Sequence, residues 1–137
     1  MGIITIDLRK RQLIYEQIVD SVKEQIGRGI LKEDDYMPSV RTLAAELGIN
    51  PNTIQKAYAE LERQGIIQSV PGKGSIVVAP AERVLDMKKE NMSAKVRLVA
   101  KEAADTGIGF AEFCEIAKPV FDEIKNEAEG KQDDRYK

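Results

Sequence analysis

The chain has 137 residues, of which 42% are hydrophobic and 32% are charged, a composition typical of a globular protein that buries a core. It has no histidine and one cysteine, Cys114, which excludes an internal disulfide, a thiolate metal site and a Ser-His or Cys-His catalytic pair. Because the carboxylates are also scattered and no residue would orient a nucleophile, we expect no metal, no cofactor and no enzymatic activity. Because the net charge is −2, any surface for an anionic partner must come from local placement of basic residues.

The first predicted element is an amphipathic helix over residues 12–27. Isoleucines and a valine recur at steps of four, which places one apolar stripe on a helix: Ile14, Ile18, Val22 and Ile26. Gly27 and Gly29 are stop signals, and the acidic stretch that follows them is predicted to be a loop. A basic run, Arg9 to Arg11, precedes the helix and is interpreted as a solvated face.

The next segment predicts two helices joined by a tight turn. Pro38 disfavours helix at the residue before it, Ser39 is a cap, and Gly48 ends a short helix. Asn50 is predicted to cap the following helix, with Pro51 in its first position and with free backbone N–H groups in its first turn that could meet a phosphate. That helix should reach about Gln64 and bury Ile54, Ala57, Tyr58 and Leu61.

Beyond Gly65 the pattern becomes extended. The runs 66–70 and 75–78 are rich in β-branched residues and flank Pro71-Gly72-Lys73-Gly74, so they predict a two-stranded hairpin. From Ala81 the period is helical again, up to a break at residues 105–107. A last helix from about Gly109 contains Pro119, which should bend it, and carries Cys114 on an apolar face as a buried packing residue.

Helix, helix-turn-helix and hairpin together predict a winged helix, in which the second helix of the pair enters the major groove of DNA. Its exposed face would carry Asn52, Thr53, Gln55 and Lys56, and amides on such a face suit base edges, although they could also be ordinary solvent-facing residues. Arg41, in the preceding helix, could clamp a phosphate or contact a guanine, or else pair with Glu46 or Asp35 on the surface. Gly72 and Lys73 would form the wing tip, which approaches the backbone or the minor groove.

The ordered motifs in residues 10–78 resemble the winged-helix domain of GntR-family transcription regulators. They are Tyr15-Glu16-Gln17-Ile18, Gly29-Ile30-Leu31, Met37-Pro38-Ser39-Val40-Arg41-Thr42-Leu43-Ala44, Asn52-Thr53-Ile54, Ala57-Tyr58-Ala59-Glu60-Leu61-Glu62, Gly65-Ile66-Ile67 and Gly72-Lys73-Gly74. The resemblance implies operator contacts for Arg41, Asn52, Thr53 and Gly72. Many members carry Arg where this chain has Pro51 or Gln55, so its base preference should differ, and Gln55 is a candidate base reader.

The remaining length resembles the short YtrA-type branch of that family, whose tail chiefly dimerises and whose members often repress transport operons. We expect residues 1–80 to form the DNA-binding domain, residues 81–128 a helical dimerisation region and residues 129–137 a flexible tail. Two helices alone cannot hide their apolar stripe, so we predict a homodimer through Leu85, Met92, Val96, Val99, Phe110, Phe113 and Phe121. The alternative is that these helices only cover their own domain.

The sequence therefore predicts a mainly α (α+β) protein, a winged helix-turn-helix with a C-terminal two-helix appendage. Its expected function is that of a repressor of a transport-related operon, which binds double-stranded operator DNA at an inverted repeat as a homodimer. The alternative function is a winged-helix protein-interaction module without DNA readout. No apolar run approaches the roughly 20 residues of a membrane helix and no signal peptide is evident, so we expect a cytoplasmic protein without membrane contact.

Overall fold

The chain folds into five helices and one small antiparallel sheet within residues 4–135, the part that the computed structural model describes, with side chains described as far as residue 130. The elements in chain order are α1 (Ile14–Gly27), α2 (Val40–Leu47), α3 (Pro51–Arg63), β1 (Ile67–Val70), β2 (Gly74–Val77), α4 (Ala81–Asp105) and α5 (Phe110–Arg135). The chain forms two compact units, and the boundary between them lies inside α4, between Glu90 and Asn91. The predicted mainly helical architecture is confirmed.

Helix α1 buries one face in the core of the first unit. Ile18 and Val22 are fully buried and Ile26 is nearly so, as the stripe of fours predicts. The helix begins at Ile14 rather than at residue 12, because the backbone of Leu13 is extended, with φ −60° and ψ 145°. The residues before it are therefore available for a separate loop.

The turn between α2 and α3 follows the predicted capping chemistry. The Ser39 hydroxyl accepts from the Thr42 N–H at 3.0 Å at the start of α2. Gly48 adopts the left-handed conformation, φ 66°, that ends α2. Pro51 occupies the first turn of α3, and the predicted buried face, from Ile54 to Leu61, lies in the core.

The hairpin has one more partner than the sequence indicated. Ile67 pairs with Val77 and Val70 pairs with Gly74 across β1 and β2. The segment before α2 adds an isolated bridge from Tyr36 to Ile76, and the Met37 N–H donates to the Ser75 carbonyl at 2.8 Å. This isolated bridge and hydrogen bond anchor the hairpin to the loop that leads into α2.

The first turns of α4 belong to the core of the first unit. Val84 is fully buried and Met87 packs against the same cluster. A Cβ on Gly27 would lie 3.4 Å from Leu85 Cδ2, so the two helices approach closely where α1 lacks a side chain. Helix α4 begins at Ala81, and its segment up to Glu90 packs with the winged helix, whereas the sequence predicts the domain boundary at residue 80.

The second unit comprises the rest of α4 and all of α5. Helix α5 contains Pro119 and continues to Arg135, through most of the predicted tail; residues 136–137 of that tail lie outside the described part. Cys114 is exposed, so its prediction as a buried packing residue is wrong for the single chain, because no element of this unit covers that face of α5. No helix within residues 4–135 combines the length and the apolar content needed to span a bilayer.

Candidate nucleic-acid interface

The start of α3 is fixed by Asn50. Its side-chain oxygen accepts from the Asn52 N–H at 2.8 Å, and its carbonyl accepts from the Thr53 N–H at 3.0 Å. Pro51 has no N–H. The prediction of free first-turn N–H groups for a phosphate is therefore wrong, because Asn50 uses both of its oxygens as caps. This end of α3 therefore presents polar side chains rather than free backbone N–H groups.

The side chains of α3 separate into a buried and an exposed face. Ile54 and Ala57 are fully buried, while Asn52, Gln55 and Lys56 are exposed and Thr53 is half-buried. The exposed face thus carries two amides, a hydroxyl and an ammonium group, which are the groups that bond base edges and phosphates. This arrangement is the one that the sequence predicts.

Lys56 has a partner that the sequence did not indicate. Its Nζ lies 4.2 Å from the centroid of the Tyr15 ring, in the first turn of α1. Such a cation–π contact restrains the lysine stem while leaving its charge at the surface. The first turn of α1 therefore lies beside the exposed face of α3.

Arg41 lies in the first turn of α2 and is exposed. Among the described side chains it pairs with neither Glu46 nor Asp35, which were the surface ion pairs considered as an alternative. Tyr58 of α3 fixes the entry to α2, since its hydroxyl donates to the Pro38 carbonyl at 2.6 Å. Burial, with a smaller contribution from the Glu46 carboxylate, raises the pKa of Tyr58 well above its ordinary value, so the donor stays protonated.

The wing tip is a tight turn between β1 and β2. The Lys73 N–H donates to the Val70 carbonyl at 2.9 Å, and Gly72 has φ 76°, which is the positive φ that a Pro-Gly turn requires. Gly72 and Lys73 are both exposed. The Ser69 N–H donates to Glu62 Oε1 at 3.1 Å, which ties β1, and with it the wing, to α3.

Large apolar side chains are exposed in the second unit. Phe110 is 84% exposed and Phe121 is 72% exposed. Of the remaining side chains predicted to dimerise, Phe113 is half-buried and the others are exposed: Leu85, Met92, Val96 and Val99. Further exposed members are Leu98, Ile116, Val120 and Ile124, and an apolar cleft of about 300 Å³ lies between the facing helices, where Val96 and Phe113 line it.

Comparison with known proteins agrees with this geometry. The family described as "Bacterial regulatory proteins, gntR family" matches residues 14–77. The HTH-type transcriptional repressor YtrA of Bacillus subtilis is 37% identical over 132 residues, which cover 96% of this chain and 99% of that protein. The matched family and this relative are transcriptional regulators rather than enzymes.

Two solved structures extend the similarity to the fold. A GntR family transcriptional regulator from Listeria monocytogenes has a TM-score of 0.66 and 32% identity, over 83% of this chain and 98% of its own. YtrA from Sulfolobus acidocaldarius, a GntR-family transcription factor, has a TM-score of 0.57 and 36% identity, over 70% of this chain and 99% of its own. The similarity thus includes both the winged helix and much of the C-terminal segment.

Proposed function

The chain belongs to the GntR family of bacterial regulatory proteins, and from this premise we propose that it is a YtrA-type transcriptional repressor that binds an inverted-repeat operator as a homodimer. The observation that carries the proposal is the similarity to the B. subtilis repressor along nearly the whole length of both proteins. A family match confined to the winged helix would support DNA binding alone. The match beyond residue 77 also supports the same use of the C-terminal helices.

In this proposal the exposed face of α3 reads bases in the major groove. Asn52 and Gln55 present amides that can bond adenine in a bidentate manner, and Thr53 can meet a thymine methyl group. Lys56 and Arg41 neutralise phosphates on either side of the groove, or Arg41 contacts a guanine. Gly72 allows the wing to approach the adjacent DNA backbone closely because it has no side chain, and Lys73 supplies a cation there.

The homodimer is proposed from the exposed apolar side chains of α4 and α5. Phe110 and Phe121 are too exposed to stabilise a lone chain, and large apolar side chains exposed in such number are typical of an interface. A two-fold axis through the second unit would make the interface self-complementary. Two recognition helices about one DNA turn apart, ~34 Å, then require an inverted repeat.

We further propose that the operator controls a transport-related operon, as the resemblance to the short YtrA-type branch implies. Neither a cofactor nor a metal has a role in this function.

Selection of DNA from a random-sequence pool tests the proposal directly. The full chain should enrich an inverted repeat whose half-sites are one helical turn apart, and light scattering should give the mass of two chains at micromolar concentration. The enriched sequence should then occur upstream of transport genes in the source genome. Enrichment of a single half-site, or of no sequence at all, would contradict the proposed mode of binding.

A further inference from the structure

Residues 8–11, which precede α1, form a loop that the proposed function has not used, and we name it the basic loop. It contains Arg9, Lys10 and Arg11, all exposed, with Arg9 retaining 95% exposure of its side chain. From the sequence, these three cations are interpreted as a solvated face rather than as a contact surface. The structure holds them in a defined conformation.

Gln17 of α1 closes the basic loop at both ends. Its side-chain nitrogen donates to the Asp7 carbonyl at 3.1 Å and to the Gln12 carbonyl at 3.0 Å, and its oxygen accepts from the Asp7 N–H at 2.8 Å. Gln17 is only 7% exposed, so these bonds are shielded from competing water. One buried amide thus spans the residues on either side of the loop.

Asp7, the residue before the basic loop, orders the loop through hydrogen bonds and an ion pair. Its carboxylate accepts from the Arg9 N–H at 2.9 Å and lies 3.5 Å from Arg9 Nε, while its carbonyl accepts from the Lys10 N–H at 3.2 Å. The charge of Arg9 is therefore partly compensated. Lys10 and Arg11 form no ion pair among the described side chains, and Lys10 lines a cleft that also contains Asp20 and Glu24, so Arg11 is the more freely presented of the two charges.

The basic loop lies a few residues before a contact between α1 and the exposed face of α3. Tyr15, in the first turn of α1, contacts Lys56 in the second turn of α3, on its exposed face. The first turn of α1 therefore lies beside the first half of α3. Arg11 is four residues before Tyr15, so it lies within about 14 Å of it along the chain.

We propose that the basic loop is a second, preformed phosphate-binding element that contacts the DNA backbone beside the groove read by α3. The N-terminal residues of a recognition helix contact the bases, so the backbone strand flanking them passes this end of α3. Lys10 and Arg11 make the contacts, and Gln17 acts as a positioning residue, since it touches no DNA itself. This inference rests on the proposed function and adds a positioning surface to it.

The test compares two double variants of the full chain that lose the same charge. Lys10→Gln with Arg11→Gln removes the free cations of the loop. Arg28→Gln with Lys32→Gln removes two exposed cations beyond the other end of α1 and is the matched control. Affinity is measured by fluorescence anisotropy between 50 and 200 mM salt, on a duplex selected by the full chain and on an unrelated duplex of equal length.

The loop variant should weaken binding to both duplexes by the same factor, because phosphate contacts carry no sequence information. Its slope of log affinity against log salt should be shallower by about 1.8 for each bound protomer. Between 50 and 200 mM salt, the variant should therefore lose about 12-fold less affinity per protomer than the wild type does. The control should keep the wild-type slope, since distant charges are screened beyond about 10 Å at such salt.

Gln17→Met separates the order of the loop from its charge, because it retains side-chain volume but cannot span the loop. With every cation in place, it should bind both duplexes several-fold more weakly, with the fold verified by circular dichroism. Wild-type affinity for Gln17→Met would overturn the positioning role. This inference alone would be overturned if the wild-type chain binds with a steep salt dependence and the loop variant has the same affinity and salt slope as the control. A wild-type chain that binds neither duplex would overturn the proposed function, and the inference with it.

Discussion

Two truncated chains, one ending at Pro80 and one ending at Glu90, separate folding of the winged helix from dimerisation. The segment between these positions begins α4 and packs on the first unit: Val84 is fully buried and Met87 packs against the same core. Leu85 lies over Gly27 of α1. The longer truncation retains these contacts, whereas the shorter one removes them and leaves the same recognition residues.

The expected difference in stability follows from the lost burial. A fully buried valine contributes about 1.5–3 kcal/mol, and a half-buried methionine adds about 1 kcal/mol, so the chain ending at Pro80 should be less stable by about 2–4 kcal/mol. That is a large part of the roughly 5–15 kcal/mol of a typical domain. Urea unfolding followed by circular dichroism measures the free energy of unfolding of both chains. Equal values would refute the packing role of the first turns of α4.

The chain ending at Glu90 also lacks most of the apolar face assigned to the dimer. It should be monomeric by light scattering and should lose about 10²–10⁴-fold in affinity for a full inverted repeat, because each half-site is then bound without linkage. Its affinity for a half-site duplex should match that of a single winged helix. A dimeric chain ending at Glu90, or a full chain that is monomeric at micromolar concentration and still binds tightly, would refute the dimerisation role.

Three substitutions test individual residues. Arg41→Ala should lower operator affinity by about 1–3 kcal/mol without loss of fold, and a titration with wild-type affinity and salt slope would contradict its DNA contact. Gln55→Arg should change the preferred base at one position of each half-site, so the same consensus from a random pool for both proteins would show that Gln55 reads nothing. Lys23 is 7% exposed, and burial, opposed by Asp20 and Glu60, lowers its pKa below 10.5, so the unfolded chain binds this proton more readily than the folded one. At pH 7 the Lys23→Met variant should therefore be more stable than the wild type. The stability of the wild type should rise relative to this variant as pH increases through the alkaline range up to about 10.5. Thermal melts in which the difference in stability does not depend on pH would contradict this.

Local signals in the sequence were sufficient to predict the helix-turn-helix. Ser39, Gly48 and Asn50 each determine a helix end through bonds to residues no more than five positions away, so their effect can be read from the chain itself. The exposed face of α3 followed from the same periodicity that predicts its buried face. The candidate base-reading residues were thus identifiable without a structure.

Contacts between distant residues could not be predicted in this way. The bridge from Tyr36 to Ile76, the cation–π contact of Lys56 with Tyr15 and the bonds of Gln17 to the basic loop depend on how the elements pack. A single bridge has no alternating pattern, and a glutamine in a helix gives no sign of its partner. The exposure of Cys114 was missed for a related reason, since an apolar stripe does not specify whether its own chain or another covers it.

Salt-dependent binding to a selected inverted repeat tests the central claim most directly. Arg41, Lys56 and Lys73 supply three cations per chain, and hence six per dimer, so log affinity should fall linearly with log salt with a slope of about −5, or steeper with the basic loop. At fixed salt the selected duplex should bind at least about 10³-fold more tightly than an unrelated one. An affinity independent of salt, or equal for both duplexes, would contradict sequence-specific DNA binding and favour a protein-interaction module instead.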